Sequence, residues 1–205
     1  MTVVCAHRGA SALLPDNSMA AFRGAIAAGA DAIEADLRRR PGGLLVLEHD
    51  LQPASAAPQT LLADLVELAR GRIRLDIELK EAGYEREVLA ALDPRPEGLL
   101  ISSFLPEAVA AVRALDPAIE TALLIAAEDG GGDLFARADA CGADLVAPQL
   151  SLLDEPLRDR AIGLGRPMLV WTVNDPATIT SLLADPAVGW LVTDVPELAH
   201  RLRGG

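Results

Sequence analysis

Aromatic residues, lysine and cysteine are scarce in this sequence. Phe, Trp and Tyr make up 3% of the 205 residues, whereas hydrophobic residues as a whole make up 51%. The core must therefore be aliphatic, and a globally disordered chain is excluded. The two cysteines, Cys5 and Cys141, do not have the spacing of a metal site. We expect both to be buried free thiols, as in proteins of a reducing compartment.

Positive charge is also scarce, and almost all of it is arginine. The chain has 18 Lys and Arg against 30 Asp and Glu, which gives a net charge of −12, and Lys80 is the only lysine. A nucleic-acid partner needs a basic face, so that class of partner is excluded, although one small anion can still bind locally. There is no run of ~18 apolar residues and no basic segment before an apolar stretch, so we expect a cytoplasmic protein without membrane insertion.

The chain alternates between short apolar runs and helical patterns. The apolar runs predict strands: Val3–Ala6, Ala32–Leu37, Ile73–Leu79, Leu99–Ser102, Thr121–Ile125, Asp144–Pro148, Met168–Thr172 and Trp190–Thr193. The segments between them predict helices: Ser18–Ala28, Leu61–Arg70, Tyr84–Leu92, Pro106–Leu115, Asp133–Cys141, Glu155–Leu164, Pro176–Leu183 and Pro196–Leu202.

Eight strand–helix units without a change of composition predict an α/β fold, a (β/α)8 TIM barrel that forms a single domain over residues 1–205. An open, doubly wound sheet is the alternative. We favour the barrel because there are eight units and no glycine-rich phosphate fingerprint follows the first strand. Leu44–Glu48 predicts a small hairpin that extends from the second strand.

Polar residues fall where barrel strands end, which is where barrel enzymes carry their chemistry. On one strand, residues two apart point to the same face, so the polar residues of the second strand share one face, as do those of the third. One more pair ends the first strand, and another ends the hairpin. These four groups are His7-Arg8, Glu34 with Asp36, Asp76 with Glu78 and Lys80, and His49-Asp50.

Several carboxylates on one inner face are costly unless cations compensate them or they hold a metal. Glu34, Asp36 and Glu78 are the predicted ligands, and oxygen ligands favour Mg²⁺ or Ca²⁺. His7 and His49 then remain as an acid/base pair. Cations beside the metal, from Arg8 and Lys80, suit an anion, so the set indicates phosphoryl chemistry.

Residues 6–50, AHRGASALLPDNSMAAFRGAIAAGADAIEADLRRRPGGLLVLEHD, resemble the glycerophosphodiester phosphodiesterase family. The matching pieces are HRG, PDN-S, AF, GAD-IE-D and a hairpin that ends in HD. IELK, ISSF, VWTVND and WLVTDVP continue the match along the later strands. The resemblance therefore spans essentially the whole chain.

The resemblance implies a (β/α)8 barrel that uses a divalent metal to hydrolyse glycerophosphodiesters to glycerol 3-phosphate and an alcohol. It implies His7 and His49 as acid/base residues, and it leaves open which is the acid. The metal ligands would be Glu34, Asp36 and Glu78. The glycerol 2-hydroxyl would attack phosphorus, and water would open the cyclic phosphate. Four residues would contact the substrate: Arg8 and Lys80 at the phosphate, with Phe104 and Trp171 lining the site.

One departure from the family concerns the segment after His49. Many relatives carry an inserted subdomain there, whereas this chain has only LQPASAAPQ before the next helix. A more open site follows, and with it an alternative substrate, a lysophospholipid or another phosphodiester. A non-catalytic anion-binding barrel is the alternative from a different class, although no histidine or ligand position is lost.

Other polar residues have competing interpretations. We expect Asp76 to pair with an arginine rather than to bind a metal, and Asp194 to orient its loop or cap the last helix. Asn17 either caps the first helix or reaches the site. The run Arg38–Arg40 predicts a solvated hairpin, with attraction of an anionic substrate as the alternative, and His200 is predicted at the surface.

Overall fold

The computed structural model describes residues 1–50, 59–129 and 132–204. Its strands are β1 Val3–Ala6, β2 Ala32–Arg39, β3 Leu45–Leu47, β4 Thr60–Leu61, β5 Arg74–Leu79, β6 Leu100–Ser103, β7 Glu120–Ile125, β8 Leu145–Pro148, β9 Met168–Val170 and β10 Val188–Thr193. Its helices are α1 Met19–Ala27, α2 Leu62–Ala69, α3 Glu85–Ala91, α4 Pro106–Leu115, α5 Leu134–Cys141, α6 Glu155–Leu164, α7 Pro176–Leu183 and α8 Pro196–Arg203.

Eight of the described strands form a parallel sheet that closes on itself. They are hydrogen-bonded in the order β8-β7-β6-β5-β2-β1-β10-β9. The two end strands meet through a parallel bridge between Gln149 and Trp171, where the amide of Leu150 donates to the carbonyl of Trp171 at 2.6 Å. The predicted (β/α)8 barrel is therefore confirmed, and the open sheet is excluded.

The barrel interior is built from small and aliphatic side chains, as the scarcity of aromatics predicts. The inward-facing core side chains form one buried cluster, which consists of Cys5, Ala32, Leu100, Ala122, Leu124, Ala147, Leu169, Trp190 and Val192. The alternate residues of the same strands, such as Ile33 and Ile77, face outward and pack with helix residues such as Phe22 and Leu65. This alternation directs Glu34, Asp36, Glu78 and Lys80 inward.

Local sequence signals fix where the helices begin and end. Ser18 accepts a hydrogen bond from the amide of Ala21 at 3.1 Å and is the N-cap of α1. Asp175 caps α7 in the same way, followed by Pro176 in the first turn. At the other end of a helix, Gly165 ends α6 with a φ of 62°, a left-handed conformation that glycine adopts without strain.

The predicted hairpin is present, but its arginines are not simply solvated. β3 pairs antiparallel with β2, and β4 pairs with β3. Arg38 pairs with Glu81 and also donates from Nε to the carbonyl of His49 at 2.7 Å. Arg40 pairs with Glu48 at 2.6 Å, and the Arg40 side chain is only 10% exposed. The expectation of a solvated run was wrong for these two arginines, because Glu81, which follows β5, and Glu48, which follows β3, supply carboxylates to them.

Three further expectations concern burial and chain segments. Cys5 and Cys141 are buried free cysteines, as expected. The predicted absence of an inserted subdomain concerns residues 51–59, of which 51–58 lie outside the described residues. Within the described ranges, every helix is too short or too polar to cross a membrane.

Candidate active site

The predicted site residues converge on one cavity at the carboxyl ends of the strands. The cavity has a volume of about 160 Å³. Eight of the nine predicted residues line it: His7, Arg8, Glu34, His49, Glu78, Lys80, Phe104 and Trp171. The ninth, Asp36, is fully buried and contacts two of the lining residues, Arg8 and Lys80.

Three carboxylates at this cavity lie close enough to share one cation. Glu34 and Asp36 come from β2 and Glu78 from β5, and the register places Asp36 opposite Glu78. One oxygen from each lies within 4.8 Å of the others. Glu34 Oε2 accepts from the amide of Arg8 at 2.8 Å, while its buried Oε1 has no hydrogen-bond partner among the described residues. An unpartnered carboxylate oxygen in an all-oxygen donor set fits a hard divalent cation.

Burial and mutual repulsion also favour a cation here. Burial raises the pKa of Glu34 well above its usual value, and the charges of Asp36 and Glu78 raise it further. Burial likewise raises the pKa of Glu78 to about 7, although Lys80 opposes the shift. Burial alone would raise the pKa of Asp36, but Lys80 and Arg8 lower it below its ordinary value. A divalent cation bound at this cluster would therefore replace protons that the carboxylates retain when no cation is bound.

Lys80 and Arg8 are the cations next to this cluster. Lys80 Nζ lies 2.9 Å from Asp36 Oδ1 and 2.6 Å from Glu78 Oε1, and its side chain is 10% exposed. Arg8 Nε lies 3.0 Å from Asp36 Oδ2. Arg8 has a φ of 55°, a left-handed conformation that is uncommon for a residue other than glycine. Both cations border the cavity, so an anion bound there would meet them together with the carboxylate cluster.

The two histidines border the cavity in different surroundings. His7 follows β1, and its Nδ1 lies 2.6 Å from Asp194 Oδ1. His49 follows the hairpin strand β3, and its Nδ1 lies 3.1 Å from Asp50 Oδ1. The side chain of His49 is 40% exposed and that of Asp50 is 77% exposed. His7 is therefore held more firmly than His49.

Phe104 and Trp171 form an apolar wall of the cavity. Their rings meet edge to face with centroids 5.4 Å apart. Trp171 donates from Nε1 to the carbonyl of Ala147 at 2.7 Å, which fixes its indole, and Lys80 Nζ lies 5.9 Å from the Phe104 ring centroid. These contacts place an apolar surface directly beside the cationic group.

Asn17 and Asp76 contact the site in ways that the sequence left open or misjudged. Ser18, not Asn17, caps α1, while the Asn17 amide donates to Asp36 Oδ2 at 2.7 Å and accepts from the Asp36 amide at 3.1 Å. Asn17 therefore orients a carboxylate of the cluster. Asp76 was expected to pair with an arginine; instead, Ser102 Oγ donates to it at 2.7 Å.

For Asp194 the sequence left two roles open, orienting its loop or capping the last helix, and the structure excludes the cap. α8 begins after Val195 without a side-chain cap. The Asp194 carboxylate instead accepts from the loop residues Ser11 and Asn174, and its Oδ1 lies 2.6 Å from His7 Nδ1. The signal available in the sequence was the position of Asp194 directly after the last strand, where barrel enzymes place functional groups.

The raised pKa values of two buried carboxyl groups predict how the stability of the cation-free protein depends on pH. Burial raises the pKa of Asp76 from 3.8 to about 7 and that of Glu78 from 4.5 to about 7. Between these values the folded protein binds more protons than the unfolded chain. The free energy of unfolding should therefore fall as pH rises, by at most about 1.4 kcal/mol per pH unit for each group. Denaturant titrations with chelator from pH 4.5 to 8 would measure this, and a steady rise to pH 7 would contradict it.

Comparisons with known proteins agree with the fold and the motifs. A family model described as the glycerophosphoryl diester phosphodiesterase family matches residues 7–74 and 66–198. Uncharacterized protein YqiK of Bacillus subtilis (strain 168) is 30% identical in an alignment 247 residues long, which covers 98% of each chain. "Probable glycerophosphodiester phosphodiesterase 1" of Mycobacterium tuberculosis (strain ATCC 25618 / H37Rv) is 27% identical over 94% of this chain and 89% of that protein.

A solved structure is similar over the whole fold. An Oleispira antarctica phosphodiesterase, in complex with the product sn-glycerol-3-phosphate, has a TM-score of 0.88 at 20% identity. The match covers 100% of this chain and 98% of the other. At this identity the likeness establishes the barrel fold.

The barrel, the site and these matches together define a hydrolase of phosphoric diesters. The chain belongs to the glycerophosphoryl diester phosphodiesterase family, whose model matches almost its full length. Enzymes of this family depend on a metal, and the cluster of Glu34, Asp36 and Glu78 offers a place for one. The chain is a compact member, since its alignment with YqiK extends over 247 residues although the chain has only 205.

Proposed function

We propose that this protein hydrolyses glycerophosphodiesters to glycerol 3-phosphate and an alcohol, with one Mg²⁺ or Ca²⁺ held by Glu34, Asp36 and Glu78. The observation that carries the proposal is the convergence of these carboxylates with Lys80 and His7 at one small cavity. When bound, the cation would supply charge stabilisation for a phosphoryl oxygen. Glu34 Oε1 is buried and has no hydrogen-bond partner among the described residues, so it is the oxygen most clearly available to bind the cation.

The phosphate would lie between the cationic groups of Arg8 and Lys80. Both border the cavity, and both are held in place by Asp36. Pre-positioned cations stabilise the charge that develops on a phosphoryl group without having to reorganise. Phe104 and Trp171 would pack against the glycerol carbons on the apolar side of the cavity.

A second, open cavity suggests where the leaving alcohol lies. It has a volume of about 700 Å³ and shares His7 and Arg8 with the first cavity. A diester bound across His7 would place its glycerol in the small cavity and its alcohol in the open one. We therefore assign His7 as the acid that protonates the leaving alcohol, and His49 as the base that takes the proton of the attacking glycerol hydroxyl. Water then opens the cyclic phosphate with these roles reversed.

The central experiment for this proposal is a product assay. The protein should release glycerol 3-phosphate from glycerophosphocholine or glycerophosphoethanolamine when Mg²⁺ or Ca²⁺ is present. The open second cavity also admits a larger alcohol, so a lysophospholipid belongs in the same panel. A lysophosphatidic or cyclic phosphate product, formed in place of glycerol 3-phosphate, would assign the alternative substrate class.

The single lysine gives a separate prediction. Lys80 fits between two carboxylates at 2.9 and 2.6 Å, a space for a compact ammonium rather than a planar guanidinium. Lys80→Arg should therefore lower kcat/KM about tenfold or more. A tenfold loss corresponds to ~1.4 kcal/mol of lost transition-state stabilisation. Steady-state kinetics would measure it, with the conservative exchange Arg86→Lys, at an exposed position of α3, as the matched control. Unchanged kcat/KM for Lys80→Arg would mean that any cation serves at this position.

A further inference from the structure

The carboxylate of Asp194 is held at both of its oxygens. Oδ1 lies 2.6 Å from His7 Nδ1 and accepts from Ser11 Oγ at 2.9 Å. Oδ2 accepts from Asn174 Nδ2 at 2.5 Å, while the Asp194 amide donates to Asn174 Oδ1 at 2.9 Å. Burial alone would raise the pKa of Asp194, but these hydrogen bonds lower it to about 2. The group is therefore an oriented carboxylate at any pH near neutrality.

The contact of Asp194 with His7 differs from that of Asp50 with His49. Asp194 follows β10, and its side chain is 28% exposed. Asp50 lies 3.1 Å from His49 and is 77% exposed, and no further hydrogen bond holds its carboxylate among the described residues. A partner fixed by two other donors sets the orientation of an imidazole, whereas a single exposed ion pair contributes little.

We propose that Asp194 is a positioning residue that keeps the Nδ1 proton on neutral His7, so that Nε2 is the nitrogen that exchanges a proton with the substrate. This inference rests on the proposed function. An acceptor-only carboxylate at Nδ1 admits only the Nδ1–H form of the neutral ring. Nε2 is then the remaining ring nitrogen, and His7 borders the cavity. Ser11 and Asn174 support the arrangement by holding Asp194.

Asp194→Asn tests this assignment, because an amide of the same shape can donate to Nδ1 and so permit the Nε2–H form. A wrong tautomer is costly: in serine proteases the equivalent exchange lowers kcat about 10⁴-fold. We expect kcat to fall about 10²-fold or more here, with KM changed less than threefold. Asp194→Glu keeps the charge and should retain more activity than Asp194→Asn. Asp50→Asn is the matched control and should stay within about threefold of the wild type.

The tautomer can be read directly by ¹⁵N NMR of the imidazoles. The chain has three histidines, so His49→Ala and His200→Ala spectra assign the signals of His7. Neutral His7 should be the Nδ1–H form in the wild type and gain Nε2–H form in Asp194→Asn. A wild-type His7 in the Nε2–H form would overturn the inference, as would an Asp194→Asn enzyme with wild-type kcat. If the wild type hydrolyses no glycerophosphodiester, the proposed function fails. The tautomer of His7 in the wild type then tests this inference by itself. The same spectrum decides the inference if Asp194→Asn does not fold.

Discussion

Replacing His7 or His49 by alanine should lower kcat on a glycerophosphodiester by about 10²–10⁴-fold, the usual contribution of a positioned acid or base. Both side chains border the cavity, and each would handle one of the two protons that move in the first step. The loss should appear in kcat more than in KM, because proton transfer occurs in the transition state. Either single variant should be nearly as impaired as the double variant.

His200→Ala is the matched control for these variants. His200 lies in α8, is exposed, and contacts Arg203 at 3.4 Å rather than the cavity. Its removal should leave kcat within about twofold. Thermal unfolding of all the variants would show that lost activity is not lost folding. Wild-type turnover in both His7→Ala and His49→Ala would refute the two-histidine mechanism.

Replacing Glu34 or Glu78 by glutamine should weaken divalent binding and lower turnover at least about 100-fold. Mutating a residue that only hydrogen-bonds to a metal ligand already lowers metal affinity or activity 10–100-fold. Glutamine keeps the shape of each side chain, and at position 34 its oxygen can still accept from the Arg8 amide. What is lost is one negative charge in a buried cluster. Calorimetric titration with Mg²⁺ and with Ca²⁺ would measure the affinity, and the product assay the turnover.

Asp76→Asn distinguishes the loss of a metal ligand from the loss of any buried negative charge near the cluster. Asp76 shares the inner face of β5 with Glu78 but bonds to Ser102 and lies outside the cluster of three. The asparagine oxygen can still accept from Ser102, so divalent affinity should change less than about threefold. The cation-free protein should become more stable near neutral pH, because burial opposes the charge of Asp76. Equal losses of affinity in Asp76→Asn and Glu78→Gln would contradict the assigned ligand set.

Much of this fold was predictable because its signals are local. β1, α4, α6 and α7 have the predicted bounds, since prolines, caps and apolar runs mark them in the sequence. The eightfold repetition then predicted closure. The strand expected to reach Thr172 ends at Val170, because at Trp171 regular pairing gives way to the single bridge that closes the barrel.

The site was predictable as far as strand alternation and motifs extend. Glu34, Asp36, Glu78 and Lys80 share the inner face because side chains alternate along a strand. The contacts that orient them join distant segments. Asn17 meets Asp36 across 19 positions, and Asp194 meets His7 across 187. Such pairs depend on how the loops fold over the barrel, so positions in the segments after strands mark Asn17 and Asp194 as candidates but do not predict which residues they contact.

The central claim is that this compact barrel is a divalent-dependent glycerophosphodiester phosphodiesterase. Its most direct test is one assay of glycerol 3-phosphate release from a panel of glycerophosphodiesters, run with Mg²⁺, with Ca²⁺ and with chelator. The account predicts release with at least one of the two cations and loss of that release when chelator is added. Undiminished release in chelator, or no hydrolysis of any diester with either cation, would contradict it.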